Sequence, residues 1–309
     1  MPQSAYPQDE TLTNIAIMVK NKDAIADKVL PRTASMDKSK FSYFKFDDEQ
    51  SFTVPDTKVG RRSQVNEVNF HGAKATDECE DFGLEHAIPS HDQGNSFSTV
   101  DPEALATEWL TNLVILDREI RVASLISDPA TYGANTEVIA AADKIDNPAS
   151  EVIMMLTDIL DSSLIRANKL VMGQPVWTKL RQHPDIVKAI HGNSGDKGLV
   201  SKQALAELLE VDEIIVGQAI FNQAKPGQAP DYQRAWGNML AALHTNEVQA
   251  RAAGTTFGFT AQYLTRYAAK WEDRNVGLRG GTRVRAGESV KEVICASQFG
   301  YLLQEPLTP

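Results

Sequence analysis

Residues 55 to 95, PDTKVGRRSQVNEVNFHGAKATDECEDFGLEHAIPSHDQGN, hold many charges and turn formers and few large apolar side chains. Burial of apolar surface, at roughly 25 cal/mol per Å², is what offsets the entropy of ordering a chain. This stretch has too little apolar surface to build a core of its own. A connection of such length without structure is uncommon inside a compact domain. The segment is therefore either mobile or held by something outside its own domain, and any fold for this chain must accommodate it.

The flanking sequence is more conventional. Ahead of it, LTNIAIMVKNKDAIADKVL has short apolar clusters ending at Pro31, and KFSYFKF (40 to 46) and QSFTV (50 to 54) alternate with period two around the acidic turn Asp47, Asp48 and Glu49. That alternation predicts a hairpin. Behind it, Asp101 caps a helix with Pro102 in its first turn, and Leu105, Trp109, Leu113, Leu116, Ile120 and Ala123 recur at spacings of three and four. These predict one amphipathic helix of about 26 residues, about 39 Å long, more than twice the mean of about 11 to 12 residues. A second helix is expected from Asn147 and Pro148, with Met154 and Met155 as core filling. Residues 168 to 190, NKLVMGQPVWTKLRQHPDIVKAI, read as a strand, a glycine turn and a helix opened by Pro175 and Val176. With a helix capped by Ser201, the strand EIIVG (213 to 217) and the strand-like WGNMLAALH (236 to 244), they predict a small α/β unit. Beyond Gly254 the pattern is strand-rich around the turn NVGLRGGTRVRAG.

At 309 residues the chain has room for about two domains. Two cysteines, Cys79 and Cys295, and no pattern of a cleaved leader point to a reduced, intracellular compartment. No apolar run approaches the roughly 20 residues of a membrane span, so a soluble protein is expected. The formal net charge of -10 argues against a protein whose main work is neutralising nucleic-acid phosphates. Charge is uneven: 11 basic against 16 acidic side chains in residues 1 to 100, 12 against 20 in 101 to 250, and 8 against 5 in 251 to 309. Opposite-signed segments suit complementary surfaces between copies of one chain.

Candidate chemistry is sparse. HGNSGDKG (191 to 198) lacks the second glycine of a nucleophile elbow and the Gly-Lys-Ser/Thr ending of a phosphate loop. His71, Cys79, His86 and His91 match no closed zinc spacing. Asp158 and Asp161 share a helix face without evidence of burial. Arg279, Arg283 and Arg285 among glycines read as a solvated hairpin tip or an anion clamp, and VGRRS (59 to 63) as a second basic turn. No catalytic residue, metal site or cofactor site is assigned.

The order of parts carries more than any one motif. Arm, extension, solitary long helix, α/β unit and strand-rich return resemble the major capsid proteins of tailed bacteriophages, with the Hong Kong 97-like fold. LTNIAIMVKNKDAIADKVLP is similar to the N-terminal arm, KFSYFKF with KVGRRSQVNEVNF to the two sides and turn of the extended loop, and NKLVMGQPVWTKLRQHPDIVKAI to a strand and helix of the axial domain. VDEIIVGQAIFN, AWGNMLAAL, TTFGF and FGYLL resemble later landmarks in the same order.

The resemblance implies an α+β fold with an N-terminal arm (1–30), an extended loop (31–95), the first part of a peripheral domain (96–164, spine helix about 101–127), an α/β axial domain (165–248) and a strand-rich return through the peripheral domain that ends near the axial domain (249–309). It implies a structural protein whose pentamers and hexamers close an icosahedral shell around phage double-stranded DNA, assembled in the bacterial cytoplasm. Expected partners are further copies of itself, a portal, a separate scaffolding protein, a decoration protein, and packaged DNA held without sequence preference; no membrane is expected. Candidate contacts between subunits are Lys58, Arg61, Arg62, Trp177, Arg279, Arg283 and Arg285. Arg61 and Arg62 are expected to meet carboxylates of the next copy, and a self-crosslink through Lys58 is not expected. Two other readings remain open: an encapsulin-like nanocompartment shell, and a soluble α/β enzyme using the 192–198 loop near Ser194.

Overall fold

The computed structural model describes residues 8–19, 21, 23–45, 54–67, 73–95, 101–192, 198–225, 227–246 and 256–308. Elements are numbered in chain order. One half is a five-stranded sheet of β4 (Thr136–Val138), β12 (Gly300–Gln304), β9 (Met239–Leu243), β5 (Lys169–Gly173) and β6 (Glu213–Gly217), side by side in that order. β5 pairs in parallel with β6 and antiparallel with β9. β5, β6 and β9 read as nearly continuous apolar runs because both of their faces are covered. Leu170, Met172, Ile214, Val216, Leu240, Ala242 and Leu303 pack under α5 (Val152–Ser162), α6 (Gln174–Leu180), α7 (Pro184–His191) and α8 (Lys202–Leu209). Their alternates Val171, Ile215, Met239, Ala241, Leu243 and Leu302 face a second core.

The segment 168–190 becomes one strand and two helices, because Pro184 cannot continue α6. The His183 side chain caps the new helix by accepting from the Asp185 N–H at 3.3 Å, and its Nε2 lies 2.9 Å from the Asn147 carbonyl. Trp177 is only 4% exposed and belongs to the α/β core. The indole packs within its own chain, where it was expected to be a contact between subunits. The second helix begins at Val152 and not at Asn147, because Asn147 turns the chain through bonds to Ala149 and Ser150. Met155 packs on the core but Met154 is 57% exposed, so only one of the pair is core filling.

The other half is built on α4 (Pro102–Ser127), whose first turn is capped by the Asp101 side chain, as its sequence dictates. Beside it runs a three-stranded antiparallel sheet ordered β10 (Gly258–Asp273), β11 (Gly281–Ile294), β3 (Glu80–Pro89). α1 (Glu10–Met18) packs on both, and α2 (Ala26–Val29) packs against α4, with Leu12, Ala16, Val29 and Leu30 buried. Of the stripe that names α4 as amphipathic, only Ala123 is on its buried face. Ala106, Leu110, Val114, Ile115, Val122 and Ile126 face inward, with Thr107, Thr111, Arg118 and Glu119 among them. Leu105 and Trp109 are 57% and 53% exposed. Thr107 and Thr111 satisfy their hydroxyls on the carbonyls of Glu103 and Thr107, at 2.9 and 2.7 Å, which lets hydroxyl-bearing positions face inward without an unpaired polar atom.

β1 (Lys40–Lys45) does form, but its described partner is β2 (Ala73–Glu78), in register from Lys40 opposite Glu78 to Lys45 opposite Ala73. The other side of the expected hairpin, at 50–54, lies almost wholly outside the described residues, as does the turn Asp47, Asp48 and Glu49. Phe41 and Tyr43 set this ribbon edge-on against Phe259, at 6.4 and 6.0 Å between ring centres. β3 lies within the interval read as extended loop, yet is hydrogen-bonded along β11 from Gly281 opposite Pro89 to Val290 opposite Glu80. A small ribbon of β7 (Ile220–Asn222) with β8 (Tyr232–Arg234) and the short α3 (Ser90–Asn95) complete the described elements.

Candidate functional site

Two sets of charged side chains, one buried and one reaching from the interior to the surface at Asp27, were not found by sequence reading, and both tie the N-terminal segment to the rest. Glu119, fully buried on α4, accepts from the N–H groups of Ile25 at 2.9 Å and Ala26 at 2.8 Å and from the Trp236 indole at 2.6 Å. One carboxylate thereby caps α2, belongs to the long helix and anchors the α/β half. Burial pushes its carboxyl above the ordinary value, against the pull of those three donors and of Arg118. Beside it, the Asp27 carboxylate takes Arg32 at 2.6 Å and the buried Arg118, and Glu288 takes Arg32 at 2.9 Å and Arg266 at 3.3 Å. Burial opposes ionisation of Glu288, but the guanidinium groups of Arg32, Arg118 and Arg266 outweigh it and hold its carboxyl below the ordinary range. Arg266 also donates to the carbonyls of Ala16 and Val19 at 3.0 Å, satisfying the last turn of α1. The only hint in the sequence was Asp117-Arg118-Glu119 in the middle of an apolar helix.

The basic residues singled out from sequence divide into two groups. Arg283 pairs with Glu85 at 2.6 Å and with Asp273 at 2.5 Å, while Arg285 reaches Glu85 at 2.7 Å and lies 5.0 Å from the centre of the Trp271 ring. Both stand in β11, opposite β3, and not at a hairpin tip. Their charge is matched inside the chain. Arg279 does sit at the exposed turn between β10 and β11, next to Leu278, which is 99% exposed.

Lys58, Arg61 and Arg62 lie on the described stretch 54–67, exposed throughout, and make no ion pair among the described residues. That stretch has a local frame. The Asn66 side chain donates to the Asp56 carbonyl at 2.7 Å, closing a loop, and the Ser63 N–H donates to the Gly60 carbonyl at 3.1 Å. Arg61 and Arg62 occupy the two central positions of the resulting turn. Val54, Val59 and Val65 are 84%, 43% and 76% exposed.

Little here suits catalysis or metal binding. Among the described residues no group of three or more His, Cys, Asp or Glu is placed to hold a metal ion. Cys79 is buried, His86 meets the Trp109 ring edge-on at 5.7 Å, and His91 lies 3.8 Å from Asp92; His71 lies outside the described residues. Burial pushes the Cys295 thiol up to about 12 and raises that of Cys79, so neither supplies a thiolate at neutral pH. Asp161 pairs with Arg166, whereas Asp158 opens onto a cleft beside α5. Ser194 and residues 193–197 lie outside the described residues. No described helix is long and apolar enough to cross a membrane.

The features that remain are surfaces. On α4, Leu105 and Trp109 lead a second apolar stripe opposite the buried face, continued by the half-buried Leu113, Leu116 and Ile120. A helix apolar on two sides calls for cover on two sides, and among the described residues the second side is covered only in part, with His86 against Trp109.

Comparison with known proteins agrees with a protein made of such surfaces. No family model matches the chain. The major capsid protein of Pseudomonas phage JBD67 is 43% identical over 305 residues, 98% of each chain. That of Burkholderia phage BcepMu is 29% identical over 224 residues, 70% of this chain and 71% of its own. Among solved structures, a phage-related protein from Bordetella bronchiseptica RB50 superposes with a TM-score of 0.75 over 98% of both chains at 17% identity. The capsid of cyanophage P-SCSP1u gives 0.55 over 88% of this chain and 85% of that one, at 12% identity. The encapsulin of Synechococcus elongatus PCC 7942 gives 0.51 over 99% and 92%, at 8% identity. Fold alone does not separate a phage coat from a nanocompartment, but near-full-length identity does: the chain belongs to the major capsid proteins of bacteriophages, on the Hong Kong 97-like fold.

Proposed function

We propose that this capsid protein self-assembles into pentamers and hexamers of an icosahedral shell that encloses phage double-stranded DNA, without catalysing a reaction. The observation that carries the reading is the pair of surfaces that the described chain leaves open: the 54–67 stretch, exposed throughout, and the α4 stripe led by Leu105 and Trp109, 57% and 53% exposed.

In this reading residues 1–30 are the N-terminal arm, 31–95 the extended loop, 96–164 the first part of the peripheral domain, 165–248 the axial domain, and 249–309 a strand-rich return through the peripheral domain that ends near the axial domain, where β12 joins its sheet. The extended loop lies on an adjacent copy, where Lys58, Arg61 and Arg62 meet its carboxylates, and Arg279 at the β10–β11 turn reaches another. An acidic coat holds DNA weakly and without sequence preference, which suits packaging by a motor through a portal. Separate scaffolding and decoration proteins complete the partners, and assembly takes place in the host cytoplasm before the protein resides in the virion.

Purified protein at assembly concentration, followed by sedimentation velocity and negative-stain microscopy, should give closed shells. Replacing Leu105 and Trp109 together by Glu should leave the subunit's circular dichroism unchanged and abolish shells. Wild-type protein that stays monomeric, or particles from infected cells that hold protein cargo in place of DNA, would overturn the proposal.

A further inference from the structure

We infer that a cleft between β4 and α5 on one copy receives the Gly60–Ser63 turn of a second copy. The inference rests on the reading that the extension contacts a neighbour, and it names the receiving surface.

The cleft has a volume of about 390 Å³. Its floor is apolar and open: Val138 on β4 is 60% exposed and Met154 on α5 is 57% exposed. Its rim carries the carboxylates of Glu137, Asp143, Glu151 and Asp158. No lysine, arginine or histidine lines it, and none of the four carboxylates makes an ion pair among the described residues. Glu137 is held in place by the Tyr301 hydroxyl, which donates to it at 3.0 Å. β4 ends its sheet, so its outer side has no strand beside it among the described residues.

An acidic rim around apolar side chains calls for a basic segment that also carries apolar ones. DNA is excluded as the occupant, because its phosphates would meet four like charges. The 54–67 stretch of this chain has the complementary chemistry: Lys58, Arg61 and Arg62, which make no ion pair among the described residues, with exposed Val59 and Val65 on either side of the turn. The Asn66 to Asp56 and Ser63 to Gly60 bonds close the loop in advance, which lowers the ordering cost of docking. Guanidinium groups at the centre of a turn can meet carboxylates two bonds at a time, a geometry lysine cannot supply. Both halves of the match are exposed on one chain and do not pair with each other there, so a second copy is the occupant that satisfies both.

A charge swap tests this in assembling full-length protein. R61E/R62E should lower shell yield at least tenfold, E151R/D158R should do the same, and the four changes together should restore it, with circular dichroism and melting confirming that each subunit is folded. If R61E/R62E blocks assembly while E151R/D158R assembles normally, the cleft is overturned and the reading of the extension as a contact stands. If R61E/R62E assembles like wild type, that reading falls as well. Independently, the pair R62C/M154C should give disulfide-linked chains on a non-reducing gel after mild oxidation of shells. Absence of linked chains, or linkage of the cleft cysteine to a different basic protein, would overturn the inference.

Discussion

Replacing Glu119 by Ala should be among the most damaging single changes in the subunit, although the residue touches no surface. The substitution strips the acceptor from three buried donors, the N–H groups of Ile25 and Ala26 and the Trp236 indole. A buried donor left without a partner costs about 1–3 kcal/mol. Allowing for relaxation and entry of water, the loss should reach about 3–6 kcal/mol, a large share of the roughly 5–15 kcal/mol that holds a folded domain together. Trp236→Phe removes only one of the three donors and should cost about 1–3 kcal/mol. The double variant should cost less than the sum, because the two changes remove one shared bond. The assay is guanidinium unfolding of dilute, unassembled subunits, followed by tryptophan-independent circular dichroism. A loss below about 1 kcal/mol for Glu119→Ala, or strict additivity with Trp236→Phe, would refute the reasoning, since either would mean that the carboxylate does not hold the three segments together.

The ion-pair network predicts a pH dependence with a definite sign. The Glu288 carboxyl is held below its ordinary value of 4.5, so its contribution is present above that value and is lost as pH falls through the depressed folded value. Glu119, held above its ordinary value, acts in the opposite sense, losing its contribution as pH rises from about 4.5 through its raised value. Unfolding midpoints of wild type and Glu288→Gln measured from pH 6 to pH 3 should therefore converge as the solution is acidified, and a constant gap would contradict the network. Packing supplies a sharper contrast between two glycines. A Cβ at Gly217 would lie 2.1 Å from the Trp236 ring, whereas one at Gly237 would meet nothing within 4 Å. Gly217→Ala should cost at least about 1–3 kcal/mol while Gly237→Ala carries no steric penalty, and equal melting temperatures for the two would be inconsistent with the packing around Trp236.

Local chemistry in the sequence was enough to set several elements. Asp101 and Pro102 start α4 where a capped helix must start, and the apolar run Leu170-Val171-Met172 ending at Gly173 makes a strand in any buried setting. The succession of such elements, more than any single motif, was also enough to suggest the family. Partners were a different matter. Period-two alternation says that residues 40–45 form a strand but is silent on their pairing with 73–78, since register is decided by what the aromatic face packs against. Arg283 and Arg285 looked available because their partner, Glu85, lies 198 and 200 residues away.

The same limit explains the long helix. Spacing along α4 determined that it would be a helix with an apolar stripe, because hydrogen bonding and side-chain period are local. Which side is buried was decided by tertiary packing. Threonines with satisfied hydroxyls, small residues and a paired Arg118 and Glu119 can line a core that average hydropathy would never choose, and this leaves Leu105 and Trp109 facing outward.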